Sequence, residues 1–153
     1  MKICVFSDSH AREGRMADAI AFEQPDACFF LGDGERDLSV IEECYPKLKI
    51  YAVRGNCDFV TMLKSTLCCE IEGVTIYATH GHLSGVKYES DLETLTSQAQ
   101  EAGADIALFG HTHRQHLSYN RGIMLLNPGT VHYGEYAVLT IENGRCSAEL
   151  TSN

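Results

Sequence analysis

Apolar residues along the chain gather into five short runs, at residues 3–6, 27–31, 50–53, 74–78 and 106–109. These runs are rich in β-branched and aromatic side chains and too short for helices, which is the pattern of strands buried on both faces. Helical spacing separates several of them. Over residues 91–102, Leu92, Leu95, Ala99 and Ala102 recur on one face, Ser90 with Glu93 reads as a capping box, and Gly103 stands where a helix would close. Residues 37–45 carry Leu38, Ile41 and Tyr45 in the same way, with Glu35, Arg36 and Asp37 as a solvated helix start. After Gly110 the texture changes. Residues 115–120, 123–126, 136–142 and 145–151 are strand-like, and Asn143-Gly144 is a hairpin turn. The expectation is an α/β front half and an antiparallel back half, packed as two sheets with helices on their outer faces.

A length of 153 residues with 44% apolar content suits one domain spanning residues 1–153. The three prolines, Pro25, Pro46 and Pro128, fall between periodic segments, and no internal repeat is evident. A formal net charge of -9 argues against broad electrostatic binding of nucleic acid or an anionic membrane. Phosphate would then be held only where bound cations concentrate positive charge. Seven cysteines, an odd number without a Cys-x-x-Cys pair, read as reduced thiols, and those other than Cys57 as small core residues. With no secretory pattern at the amino terminus and no apolar stretch near the roughly 18 residues of a membrane span, a cytoplasmic protein is expected.

Candidate chemistry enters at the ends of the apolar runs. Asp8 and His10 follow the first, Asp33 the second, Asn56 the third, His80 the fourth, and His111 with His113 the fifth. In α/β sheets the carboxyl ends of the strands face one crevice, so side chains distant in sequence converge there. Taken singly, Asp8 and Asn56 read as turn residues and His80 as a histidine satisfied in the core. Jointly they resist that reading, because buried, unpaired charges at several strand tips would cost several kcal/mol. His116 reads as a strand-surface residue and His132 as a loop residue, neither a ligand.

A set of oxygen and imidazole donors without thiolate suits Mn, Fe, Zn, Co or Ni. Seven ligands exceed the needs of one zinc and fit a pair of ions about 3.5–4 Å apart, where a trapped water becomes the nucleophile for phosphoryl transfer.

Asp8-Ser9-His10, Gly32-Asp33, Gly55-Asn56-Cys57-Asp58, Thr79-His80-Gly81-His82 and Gly110-His111-Thr112-His113, in this order, resemble the calcineurin-like metallophosphoesterases. Chain length and the Gly-Asn-Cys-Asp sequence resemble the small bacterial and archaeal phosphodiesterase branch in particular. The resemblance extends from Ile3 through Asn127-Pro128-Gly129-Thr130. It implies a four-layer α/β/β/α sandwich of two mixed β-sheets flanked by helices. It also implies that Asp8, His10 and His113 hold one divalent ion, that Asn56, His80 and His111 hold the other, and that Asp33 bridges them. Mn is the first expectation for the pair, with Zn, Fe, Ni or Co as alternatives. Asn56 and His82 are the catalytic candidates, and Asn56, Cys57 and His82 the substrate contacts. Two departures stand out. Cys57 occupies a position where many larger phosphatases have a histidine thought to protonate the leaving group. Thr130-Val131-His132-Tyr133 replaces the segment in which the small branch usually has a Pro-Arg pair.

The functional expectation is a phosphodiesterase or phosphatase acting on a small phosphate ester through a metal-bridging hydroxide, with a homo-oligomer compatible and no membrane partner. The alternatives are a binding scaffold, like the retromer subunit that shares the fold, and a nuclease. The filled ligand set weighs against the first, and the acidic balance without a basic stripe against the second.

Overall fold

The computed structural model describes all 153 residues. In chain order it comprises β1 (Lys2–Phe6), α1 (Glu13–Glu23), β2 (Ala27–Phe30), α2 (Glu35–Cys44), β3 (Lys49–Ala52), β4 (Thr66–Ile71), β5 (Val74–Thr79), α3 (Glu93–Glu101), β6 (Ile106–Leu108), β7 (Gln115–Asn120), β8 (Ile123–Pro128), a 3-10 turn (Val131–Tyr133), β9 (Glu135–Glu142) and β10 (Arg145–Ser152). The strands form two mixed sheets, ordered β10-β9-β1-β2-β3 and β4-β5-β6-β8-β7. No helix is long and apolar enough to cross a membrane.

Alternation of side chains along the central strands creates the layers. Ile3 and Val5 of β1, Ala27 and Phe29 of β2, Ile106 and Leu108 of β6, and Met124 and Leu126 of β8 point between the sheets into one core. Their neighbours point outward. Cys4, Phe6, Cys28 and Phe30 meet Met16, Ala19 and Ile20 of α1 and Leu38 and Ile41 of α2. On the other sheet, Tyr77, Ala107 and Leu125 meet Leu95 and Ala99 of α3. Strands buried on both faces thus account for the unbroken apolar runs, and the result is the expected four-layer α/β/β/α sandwich. Phe29, fully buried and stacked on Tyr51 at 4.8 Å between ring centroids, contributes roughly 1.5–3 kcal/mol by burial.

Several local expectations change. Helix α1 and strand β4 carry no strong periodic signal. The apolar face of α1 is short and its N-terminus has no side-chain cap, while β4 is an edge strand paired antiparallel to β5 with its residues only partly covered. The back half is not wholly antiparallel, because β8 runs parallel to β6. Helix α3 starts later than expected, after Leu92 in a left-handed conformation (φ 53°). No capping box forms there, and Glu89 instead accepts the Thr94 N–H at 2.7 Å. The Asn143-Gly144 hairpin turn is present, with both residues at positive φ. Only Cys4 and Cys28 are core cysteines. Cys44, Cys57 and Cys68 are exposed, and Cys69 and Cys146 are half-buried.

Candidate metal centre

Backbone hydrogen bonds sew the loops beyond the strand ends into one platform. In the first sheet, Asp8 N–H donates to Gly32 O at 2.9 Å, and in the second, Gly110 N–H donates to His80 O at 3.0 Å. Side chains then join the sheets. The His80 ring nitrogen Nδ1 lies 2.7 Å from Leu31 O, His111 N–H donates to Asp8 Oδ2 at 3.0 Å, and the Thr130 hydroxyl donates to Asp8 O at 2.8 Å. A carbonyl oxygen only accepts, so Nδ1 of His80 carries a proton. Nε2 faces the centre, where the protonated ring donates toward Asp33 and the neutral ring would offer its lone pair to a cation.

Asp8 occupies the middle. Its Oδ1 lies 3.0 Å from His113 Nε2, 3.8 Å from His10 Nε2 and 3.9 Å from His80 Nε2. Beyond it, His80 Nε2 is 3.4 Å from Asp33 Oδ2 and 3.1 Å from Asn56 Oδ1. Two groups of closely spaced ligand atoms result, Asp8 with His10 and His113, and Asp8 with Asp33 and His80. The His111 ring stands beside the second group, 5.0 Å from the His80 ring, and His82 lies 5.5 Å from His80 and 6.2 Å from His111. Asp8 is 0% exposed, yet its Oδ1 accepts no hydrogen bond. A buried carboxylate oxygen left bare among imidazoles is costly in an apolar surround and becomes favourable when a cation sits against it. The donor set and this orphaned atom therefore fit divalent ions.

Backbone conformation aims these side chains. Asp8, His10, Asp33, His111 and His113 all have φ between 43° and 67°, the left-handed region that β-carbon sterics disfavour. Each such residue costs of order 1–3 kcal/mol and persists only where the surroundings over-determine it. Glycine makes room for the result. A β-carbon on Gly55 would lie 2.0 Å from Asp33 Oδ1, and one on Gly110 would lie 1.9 Å from the Ser7 hydroxyl and 3.0 Å from Asp8 Oδ2.

Two further carboxylates hold the strained loops. Oδ2 of Asp37 accepts the Ser9 hydroxyl at 2.5 Å, Ala11 N–H at 2.8 Å and Arg12 N–H at 3.3 Å, gripping the segment that carries Asp8 and His10. Asp58 accepts Asp33 N–H at 2.8 Å and Gly55 N–H at 2.7 Å on Oδ2, and Gly34 and Glu35 N–H at 3.0 and 3.1 Å on Oδ1. Both are buried. Asp37 is therefore not the solvated helix residue that its setting in the sequence suggested. It turns inward because the loop after β1 supplies three donors that water would otherwise satisfy.

Protonation follows the same geometry. Burial works to raise the Asp33 carboxyl, but hydrogen bonds from His80 and from Cys57 N–H, the latter at 2.8 Å, hold it well below the usual carboxylate range. His80 is depressed by burial and raised on balance by Asp33 and Asp8. His111 is pushed down to about 4 by burial and then by the charge of His80, which keeps its imidazole neutral and able to ligate. Burial, followed by the charge of His80, also lowers His82, whose Nδ1 is buried without a partner. Burial and then Asp33 raise the Cys57 thiol.

All seven residues placed at the strand ends thus lie in one crevice, with His82 and the exposed Cys57 at its border. His116 bonds Ser118 at 2.7 Å, and His132 packs edge-on against Tyr133. Asp37, Asp58 and Thr130 are site-forming residues that sequence spacing does not reveal. Asp58 belongs to a quoted motif, whereas Asp37 carries no local signal. A groove of about 600 Å³ runs from His10, Asp33 and Cys57 to Arg36, Phe59 and Val60.

Residues 1–144 match a family model described as the calcineurin-like phosphoesterase superfamily domain. The chain is 33% identical over 150 residues to a probable metallophosphoesterase, YsnB, of Bacillus subtilis, covering 94% of this chain and 86% of that one. Among solved structures it resembles a conserved protein of Streptococcus pneumoniae described as a predicted phosphoesterase, with 29% identity, a TM-score of 0.83, and 99% and 88% of the two chains covered. The fold also matches Entamoeba histolytica Vps29 complexed with zinc, at 20% identity, a TM-score of 0.78 and 99% of each chain.

Proposed function

Since the chain belongs to the calcineurin-like phosphoesterase superfamily, we propose that it is a metal-dependent hydrolase of small phosphate esters, acting as one domain over residues 1–153. The observation that carries this reading is the bare Oδ1 of buried Asp8, which faces His10 and His113 on one side and His80 on the other. In this reading Asp8, His10 and His113 would hold one divalent ion, Asn56, His80 and His111 would hold a second, and Asp33 would serve both. Mn is the first expectation, with Zn, Fe, Ni or Co as alternatives. Such a pair would supply the Lewis acidity that polarises a phosphoryl group and activates water.

The chain's own residues then orient and protonate. Asn56 presents a carboxamide at the opening, with its Oδ1 toward His80 and its Nδ2 free to turn from the Cys57 sulfur, 3.4 Å away, to a phosphoryl oxygen. His82, on the border of the crevice, is the candidate contact for the phosphate or the departing oxygen through Nε2, since its unpartnered Nδ1 is buried. Cys57 uses its N–H to fix Asp33 and lines the groove with its side chain. Phe59 and Val60, almost fully exposed on the same groove, favour an ester with an apolar arm.

Replacing Asp33 with Asn should abolish Mn-dependent hydrolysis of bis(p-nitrophenyl) phosphate while leaving the fold intact by circular dichroism. Full retained activity would overturn the assignment. The scaffold reading keeps one expectation of its own, that metal-loaded protein hydrolyses no member of a broad panel of phosphate mono- and diesters. Tight, salt-sensitive binding of single-stranded DNA would instead favour the nuclease reading.

A further inference from the structure

A second groove, about 610 Å³, shares no lining residue with the Phe59 groove. Val86, Lys87, Tyr88, Thr112, Arg114 and His116 line it. It adjoins the candidate centre through the chain itself. Thr112 lies between His111 and His113, Arg114 follows directly, and Val86 packs beneath Gly81, where an added β-carbon would come within 2.9 Å of Val86 Cγ2. Thr112 is fixed in place. Its hydroxyl oxygen accepts Asn127 Nδ2 at 3.0 Å and Arg114 N–H at 3.3 Å.

Charge makes this groove unusual for the molecule. The formal net charge is -9 and the Phe59 groove sets Arg36 among Asp33, Glu35, Asp37 and Asp58, yet here Lys87 and Arg114 share a groove with Glu89 alone. The one acidic lining residue, Glu89, is committed to α3, accepting Thr94 N–H at 2.7 Å and the Thr94 hydroxyl at 2.5 Å. Lys87 and Arg114 outnumber the Glu89 carboxylate, so the groove is net positive beside a phosphoryl-binding centre, which suits a tetrahedral dianion.

We propose that the Lys87–Arg114 groove is a subsite for a second phosphate group of the substrate, so that the preferred ester is bisphosphorylated. The inference rests on the phosphoesterase reading for the position of the first phosphate. Arg114 directly follows His113, so the two phosphates would belong to one small molecule whose spacer reaches from the His111–His113 loop into the groove. Arg114 would engage the remote phosphate with its planar fork, and Lys87 would neutralise it as a point charge. Selection would act mainly on binding, since neither group would touch the bond that is broken.

The test uses Mn-loaded protein and two non-hydrolysable ligands matched in their carbon chain, propane-1,3-bisphosphonate and propylphosphonate, titrated by calorimetry. The bisphosphonate should bind at least about tenfold more tightly, a margin that narrows as salt rises. In the Lys87→Ala, Arg114→Ala double variant the ratio of the two affinities should fall to about one. In Zn-loaded protein, amide resonances of Lys87, Thr112 and Arg114 should shift with the bisphosphonate and not with the monophosphonate. Equal affinities in the unaltered protein, or a preference that survives in the double variant, would overturn the subsite. Preference for the bisphosphonate without hydrolysis of any phosphate ester would uphold the subsite and defeat the hydrolase reading. Hydrolysis without preference would do the reverse.

Discussion

Asp37 Oδ2 accepts the Ser9 hydroxyl at 2.5 Å, so a carboxylate in the first turn of α2 holds the loop that carries Asp8 and His10. Three donors converge on that one oxygen. Asp37→Ala would leave Ser9, Ala11 and Arg12 without their acceptor, and should destabilise the protein by about 1–3 kcal/mol in urea unfolding. Because the loop also bears left-handed residues, affinity for Mn should fall at the same time. Unchanged affinity in calorimetry would show that the clamp serves stability alone.

Gly55 and Asp33 approach too closely for any other residue. A methyl group on Gly55 would lie 2.0 Å from Asp33 Oδ1 and 2.6 Å from its backbone nitrogen. Gly55→Ala should therefore displace Asp33 and cost about 1–3 kcal/mol from overpacking. Elemental analysis after Mn reconstitution should show less bound metal than in the unaltered protein. By contrast, Gly144→Ala, where an added β-carbon meets open space, should keep the full metal complement despite its strained φ of 72°.

Divalent ions should stabilise the fold. Repulsion between Asp8 and Asp33, together with five left-handed residues among the candidate ligands, opposes the site when no cation is present. A metal at about 100 times its Kd should add about 2.7 kcal/mol. Scanning calorimetry with and without a chelator would then give a clearly higher Tm for the metal-loaded form. A Tm indifferent to Mn, Zn, Fe, Ni and Co would contradict the assigned ligand set.

Alkaline stability should depend on Tyr136. Burial, and then the Glu23 carboxylate that its hydroxyl meets at 3.0 Å, push the phenol up to about 12, above its ordinary 10.0. The folded state then holds a proton that the unfolded state releases, so stability is full below about pH 10 and declines as pH rises toward 12. Tyr136→Phe should flatten that decline in urea unfolding measured between those limits. An unchanged slope would show that Tyr136 is not its source.

Much of this protein is legible in the chain because a few physical rules act locally. Ile3 to Phe6 and Ile106 to Phe109 had to be strands covered on both sides, since both alternations are apolar and each run is too short for a helix. Strands wound in parallel deliver their following residues to one edge, so Asp8, Asp33, His80 and His111 were readable as neighbours. The sequence by itself determined the layers and the donor set. Tertiary structure alone decided how the donors are held and what surrounds them. Asp37 reaches Ser9 across 28 positions and Asp58 reaches Asp33 across 25, and no periodicity encodes a carboxylate that turns inward to meet another loop's N–H groups. Lys87 and Arg114 share a groove only because β5 and β6 pair in parallel and place the loops that follow them side by side. Periodic burial is a property of neighbouring residues, whereas electrostatic convergence depends on distances that exist only after the sheets have packed.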